Sequence, residues 1–255
     1  MQTNRKTAGL EIRSWKEERV MESVINLHHV KKTYRKNKAT FIAAEIEELV
    51  IPAGESFGLM GESGSGKSTT AGIVTGLIRP DPGSVVEVCG MDVYALSRRS
   101  RRIFYQSVQM VFQQPAESFD PKQTLGDAVM EGMRNAGMSR LSAGERMREL
   151  FIRMGLTPEF ASRYPGQVSG GQCQRAALAR ALSVKPKLLV CDEITSALDT
   201  DTKKQILALL KQVKQEEMLS LFFISHDREA VQQLCTRTAI MQAGKFVRES
   251  KIWEE

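Results

Sequence analysis

The stretch Gly61-Glu62-Ser63-Gly64-Ser65-Gly66-Lys67-Ser68 decides how the rest of this sequence is read. It fits G-x-x-x-x-G-K-[ST] and stands between an apolar run, ESFGLM at 55–60, and a helix-compatible one, TTAGIVTGLI at 69–78. Glycines let backbone N–H groups curl around phosphate oxygens, and the start of a helix adds the positive end of its dipole. Lys67 is then placed to reach the β- and γ-phosphates of a nucleotide, and the Ser68 hydroxyl to ligate Mg²⁺. On average composition the bare pattern occurs in roughly 1% of chains this long, and the strand-before, helix-after context weakens the chance reading further.

Working outward, the chain upstream is strand-like at VINLHHV (24–30) and TFIAAEIEELVI (40–51), with Pro52-Ala53-Gly54 as a turn. Downstream, the helical run stops at Arg79-Pro80-Asp81-Pro82-Gly83, and strands are expected around 84–88 and 108–112. Residues 114–166 change character, rich in Met and Arg with helical spacing at Leu125, Val129 and Met133, then at Met147, Leu150 and Met154. This marks a helical insertion. After Ser169 the pattern reads helix (172–182), strand LLVCDE (188–193), helix (203–214), strand LFFIS (221–225), helix (228–234) and strand TAIMQ (238–242). Such alternation predicts a largely parallel sheet covered on both faces.

Composition agrees with an ordinary globular domain: 255 residues, 42% hydrophobic, 26% charged and 6% aromatic. No run approaches the ~20 apolar residues of a membrane-spanning helix. The basic N-terminus has no continuous apolar segment and so does not read as a secretory signal. The formal charge of +6 is concentrated in the first forty residues. A solvated tail with basic groups near a nucleotide site is favoured there over contact with anionic headgroups or nucleic acid. Residues 1–22 show no clean period and read as a tail, with Met21 as an alternative start. Cys89, Cys173, Cys191 and Cys235 lack disulfide or metal spacing and read as structural filler.

A second chemical site is the end of LLVCDE. An apolar strand closing on Asp192 and Glu193 places both carboxylates at the carboxyl edge of a parallel sheet, where ligands bind in open α/β folds. Asp192 would hold the Mg²⁺ hydration shell, and Glu193 would orient or deprotonate an attacking water. The third is Val168-Ser169-Gly170-Gly171-Gln172, which opens a helix rich in Arg and Ala. Here the chain resembles the ATP-binding-cassette (ABC) family, whose signature is usually written LSGGQ. Further matches follow in the family's order: Tyr34, Gln113 after VQMVF, Ser196-Ala197-Leu198-Asp199, and His226 in ISHD. The resemblance covers about residues 24–248.

That resemblance implies an α/β fold: a P-loop NTPase core with a mainly parallel sheet, an N-terminal antiparallel β region and a helical signature subdomain. The ATPase domain would run over 23–255, with the helical subdomain at about 114–178. It implies ATP and Mg²⁺ as ligands. Gly61, Glu62, Ser63, Gly64, Ser65, Gly66, Lys67, Ser68 and Thr69 would form the nucleotide cradle, and Tyr34 would stack on adenine. Ser68, Gln113 and Asp192 would face the metal, and Glu193, His226 and Lys67 would be catalytic. Ser169, Gly170, Gly171, Gln172 and Asp199 would act in trans on the nucleotide held by an opposed subunit, so that two subunits pair head to tail.

Two departures stand out: Val168 where leucine is usual, and Ile194 where proline commonly follows the acidic pair. Proline would fix the backbone at 194, so its absence is expected to loosen that loop. The run FQQPAESFDPKQT (112–124) is similar to peptide and nickel importer ATPases, and the chain resembles their short second ATPase. The expected function is therefore to energise an importer of peptides, nickel or metal chelates from the cytoplasmic face of the membrane. Its partners would be integral-membrane permease subunits, a second ABC ATPase and, indirectly, an extracytoplasmic binding protein, with no nucleic acid. The alternative is an accessory ATPase of a soluble complex, as in the phosphonate-cleaving lyase.

Overall fold

The computed structural model describes residues 23–36, 39–196 and 198–251; the expected N-terminal tail lies outside them. Six strands form the central sheet in the order β10-β9-β3-β8-β7-β6. They are β3 (Ser56–Met60), β6 (Val108–Val111), β7 (Leu188–Asp192), β8 (Ser220–Ile224), β9 (Arg237–Gln242) and β10 (Lys245–Lys251). All neighbours pair in parallel except β10, which returns antiparallel along β9. A separate antiparallel sheet, ordered β2-β1-β4-β5, comprises β1 (Ser23–Lys36), β2 (Ala39–Pro52), β4 (Val85–Val88) and β5 (Met91–Asp92).

Burial explains why the central strands read as continuous apolar runs. Every residue of β7 and β8 is buried, as expected of parallel strands covered on both faces. Period-two alternation divides them between two cores. Leu189, Cys191, Leu221 and Phe223 join one with the helices α3 (Leu125–Asn135), α4 (Arg140–Arg153), α5 (Gly170–Ser183), α6 (Thr200–Glu217) and α7 (Arg228–Leu234). Leu188, Val190, Phe222 and Ile224 join the other, with the antiparallel sheet and α1 (Lys67–Val74).

Several elements differ from the sequence expectation. Helix α1 ends at Val74, four residues early, because Gly76 adopts φ +74° and the amides of Leu77 and Ile78 both turn back to the Gly72 carbonyl. A helix not expected at all, α2 (Arg98–Ser107), is capped by Ser97 and buries only Phe104. Strand β10 was likewise unforeseen. Helix α6 is longer than expected at both ends, and at its start Asp199 caps it by accepting from the amides of Asp201 and Thr202.

The sheet positions the chemistry. Register pairs Val111 with Cys191, Asp192 with Ile224, and Leu59 with Ile224, so β6, β7, β8 and β3 end at one level. Past those ends stand Gln113, Glu193, His226 and the glycine loop, on one edge of one sheet.

Candidate functional site

The glycine loop is held between two backbones that come from elsewhere in the sequence. A side-chain carbon on Gly66 would lie 2.1 Å from the Ala43 carbonyl oxygen, and one on Gly61 2.3 Å from that of Met241. Gly66 also adopts φ +112°, which only glycine takes without strain. The Gly244 amide donates to the Ser65 carbonyl at 2.8 Å, closing the cradle from the turn after β9.

Lys67 begins α1 and is 5% exposed. Its ammonium donates to the carbonyl oxygens of Gly61 and Glu62, each at 2.8 Å, and lies 3.9 Å from Glu193 Oε1. The cation thus spans the concavity that the loop encloses. Ser65 Oγ is buried there with no hydrogen-bond partner.

Asp192 ends β7 at 8% exposure, and its Oδ1 is buried without a partner. Burial pushes its carboxyl above the usual range and Glu193 adds to the rise, while Ser68 and Lys67 pull it down. An orphaned, desolvated carboxylate oxygen beside a hydroxyl fits a hard cation. One or two carboxylates plus substrate oxygens are the usual Mg²⁺ set. Among the described residues no cluster of three or more His, Cys, Asp or Glu that could hold a metal accompanies Asp192.

Glu193 adopts φ +49°, a left-handed conformation costing about 1–2 kcal/mol for a residue with a side chain. Its amide donates to the Ile224 carbonyl at 3.0 Å, and its carbonyl accepts from the Ser196 hydroxyl at 2.9 Å and the Ser196 amide at 3.1 Å. These bonds turn the carboxylate toward the loop, where Oε2 accepts from Gln113 Nε2 at 3.3 Å and faces His226 Nδ1 at 3.6 Å. Ile194 is 2% exposed and packs into the helical core. Side-chain burial thus anchors the start of the segment that a proline would have stiffened.

Tyr34 is half-buried on β1, opposite Phe41 of β2, with ring centroids 5.7 Å apart. Phe41 stands two residues before Ala43, the residue against the glycine loop, so the aromatic pair borders the cradle at a strand spacing of about 7 Å. Phe41, 51% exposed, escaped the sequence reading; only the hairpin register identifies it.

The remaining site residues lie apart from this cluster. Ser169, Gly170, Gly171, Gln172 and Asp199 line an open cleft of about 970 Å³ that includes no residue of the glycine loop. Ser169 caps α5, and the Gln172 side chain returns to accept from the Ser169 amide at 2.9 Å. Gln172 is thus engaged in a capping box. The Asp199 carboxyl is held below its ordinary range, chiefly by the Thr202 amide. Ala197 lies outside the described residues.

A glycine cradle, a strand-end acid pair and a separate signature cleft on an α/β core define an ATP-binding cassette. The ABC transporter family pattern matches residues 47–196, more than half of the chain, and this protein belongs to that family. It is 40% identical over 215 residues to a probable peptide ABC transporter ATP-binding protein, y4tS, of Sinorhizobium fredii (strain NBRC 101917 / NGR234), covering 84% of this chain and 61% of that one. It is also 40% identical over 230 residues to methionine import ATP-binding protein MetN 1 of Pseudomonas savastanoi pv. phaseolicola (strain 1448A / Race 6), covering 90% and 68%. Among solved structures, the dimeric cassette MJ0796 in a post-hydrolysis state with ADP and Pi superposes with a TM-score of 0.83 at 30% identity, over 91% of this chain and 100% of that one.

Proposed function

We propose that the protein binds and hydrolyses Mg²⁺-ATP as one of two head-to-tail ABC subunits that drive a membrane importer. The observation that carries this reading is the separation of the two half-sites. Lys67, Glu193, Gln113 and His226 meet at one sheet edge, whereas Ser169–Gln172 and Asp199 line a different cleft. A second subunit is therefore needed to complete each nucleotide site.

In the completed site Lys67 and the loop amides hold the β- and γ-phosphates, and the Tyr34–Phe41 pair receives the base. Asp192, Ser68 and Gln113 would hold Mg²⁺, which when bound would supply charge neutralisation. Glu193 orients a water toward the γ-phosphorus and takes up its proton as the bond to the bridging oxygen breaks, leaving ADP and phosphate. His226 and the partner's signature residues stabilise charge on the transferring group.

Mechanical output fits the helical insertion. The segment after Gln113 is pinned by Arg180 of α5, which donates to Ser118 Oγ at 2.8 Å and lies 4.3 Å over the Phe119 ring. A shift of Gln113 on hydrolysis thus reaches the signature helix and the surface around it. No described helix is long and apolar enough to cross a membrane. The likeness to importer ATPases supports permease subunits on separate membrane chains, with this protein at their cytoplasmic face and an extracytoplasmic binding protein reached through them. The y4tS and MetN 1 likenesses support small peptides or amino acids as cargo, ahead of nickel or metal chelates.

The test is a tagged pull-down of the full chain from gently solubilised membranes, with mass-spectrometric identification of what co-purifies. Two multi-span permeases and a sister ATPase are expected. Soluble enzyme subunits without a permease would replace the importer reading with that of an accessory ATPase.

A further inference from the structure

Lys203 sits in the first turn of α6, one turn after Asp199, and is only a quarter exposed. Its ammonium is bonded to Asp227 Oδ2, across to the loop that follows β8. Asp227 is itself fixed. Its Oδ1 accepts from the Ala230 amide to cap α7, and its own amide donates to Ser225 Oγ at 3.0 Å. His226 lies between these two anchored residues, with its side chain 61% exposed and its Nδ1 facing Glu193. The imidazole therefore projects from a three-residue loop whose outer strut is the Lys203–Asp227 pair.

The same turn of α6 touches the signature helix on its other side. A side-chain carbon on Gly171 would meet Thr202 Cγ2 at 3.1 Å and Leu198 Cδ2 at 3.8 Å. Thr202 precedes Lys203, and Asp199 caps the helix both belong to. One helical turn, capped by Asp199, thus carries contacts to the signature helix and to the His226 loop.

We propose that Lys203 is a positioning residue that ties the Asp199 turn, which serves the partner's nucleotide, to the His226 loop, which serves its own. The inference rests on the head-to-tail pairing proposed above. Its physical basis is a charge-assisted bond between two partly buried groups, which joins the two loops directly. Closure of one nucleotide site shifts the α6 turn, and Lys203 passes that shift to the histidine of the other.

The experiment compares steady-state ATP hydrolysis and ATP affinity of the full chain with those of Lys203→Met, Lys203→Arg and Asp227→Ser. Methionine keeps the stem packed and removes the charge; serine keeps a helix-capping oxygen and removes the partner. For Lys203→Met and Asp227→Ser, kcat should fall about tenfold with KM for ATP within about twofold of the parent, and Lys203→Arg should restore kcat. A kcat within twofold of the parent in both charge-removing variants overturns the inference. So does a parallel loss of ATP affinity and melting temperature that arginine does not repair, since that pattern is merely structural. A parent chain that hydrolyses no ATP would instead overturn the ATPase reading and this inference with it.

Discussion

Glu193 Oε2 faces Nδ1 of His226 at 3.6 Å while the same oxygen accepts from Gln113 at 3.3 Å. The carboxylate thus stands between a group from β6 and a group from β8, the arrangement expected of a base whose direction must be held. Replacing it with glutamine keeps the shape and removes the proton acceptor. Glu193→Gln should lower phosphate release at least about 100-fold while ATP binding, measured by fluorescence or calorimetry, stays within a few-fold. Retained turnover would remove Glu193 from the base role.

Asp192 links function to stability with opposite signs. Its folded-state carboxyl is raised above the ordinary 3.8, chiefly by burial, so the folded chain binds this proton more tightly than the unfolded chain does. The stability this group contributes is present below 3.8 and is lost as pH rises through the raised value, leaving a cost at neutral pH. Asp192→Asn removes the buried charge. The nucleotide-free variant should melt at or above the parent's temperature at neutral pH, and the difference should shrink as pH falls toward 4. The same variant should lose Mg²⁺-dependent nucleotide binding. A melting temperature well below the parent's at neutral pH would show that the charge is already compensated without a ligand.

The legible parts of this protein are those where chemistry follows an apolar strand directly. Lys67 and Asp192 could be located because β3 and β7 are buried on both faces and end abruptly in polar residues. His226, at the end of the equally buried β8, stood out only through the family resemblance. Helix α2 was illegible because its sequence RRSRRIFYQS buries one residue and so has no apolar stripe. Edge strand β10 has no fully buried residue and carries no alternating signal. Contacts made by backbone atoms were invisible for another reason. The carbonyls of Ala43 and Met241 that confine the glycine loop belong to distant strands, and their side-chain identities say nothing about where the carbonyls point.

The aromatic pair should govern affinity and leave turnover alone. Tyr34 and Phe41 meet through their rings in the antiparallel sheet, away from the Glu193 cluster. Tyr34→Ala should raise the dissociation constant for ATP about 5- to 20-fold, the loss of one base–aromatic stack. At saturating ATP, kcat should change less than twofold, and Tyr34→Trp should recover affinity. Phe41→Ala should give a smaller change in the same direction, since that ring supports Tyr34. Equal losses in kcat and affinity would place the pair within the catalytic cluster.

Two glycines of the loop separate strain from collision. Gly64 and Gly66 both have left-handed φ, +78° and +112°, yet a side-chain carbon at Gly64 meets nothing within 4 Å. At Gly66 it would lie 2.1 Å from a backbone oxygen of β2, a strand fixed by its pairing with β1. Gly64→Ala therefore costs only the conformational preference, about 1–2 kcal/mol, and should retain ATP binding. Gly66→Ala must also displace either the loop or the strand. Neither can yield cheaply, because the loop's next residue is Lys67 at the start of α1 and the strand's Ala44 is fully buried. Gly66→Ala should bind ATP at least about 100-fold more weakly even if it remains folded, as preorganised backbone amides lose their geometry. Calorimetric titration of both variants with Mg²⁺-ATP decides the matter. Equal affinities would mean that the cradle adapts to its ligand, whereas the wide separation expected here follows from a loop whose shape is set by β2 before any nucleotide arrives.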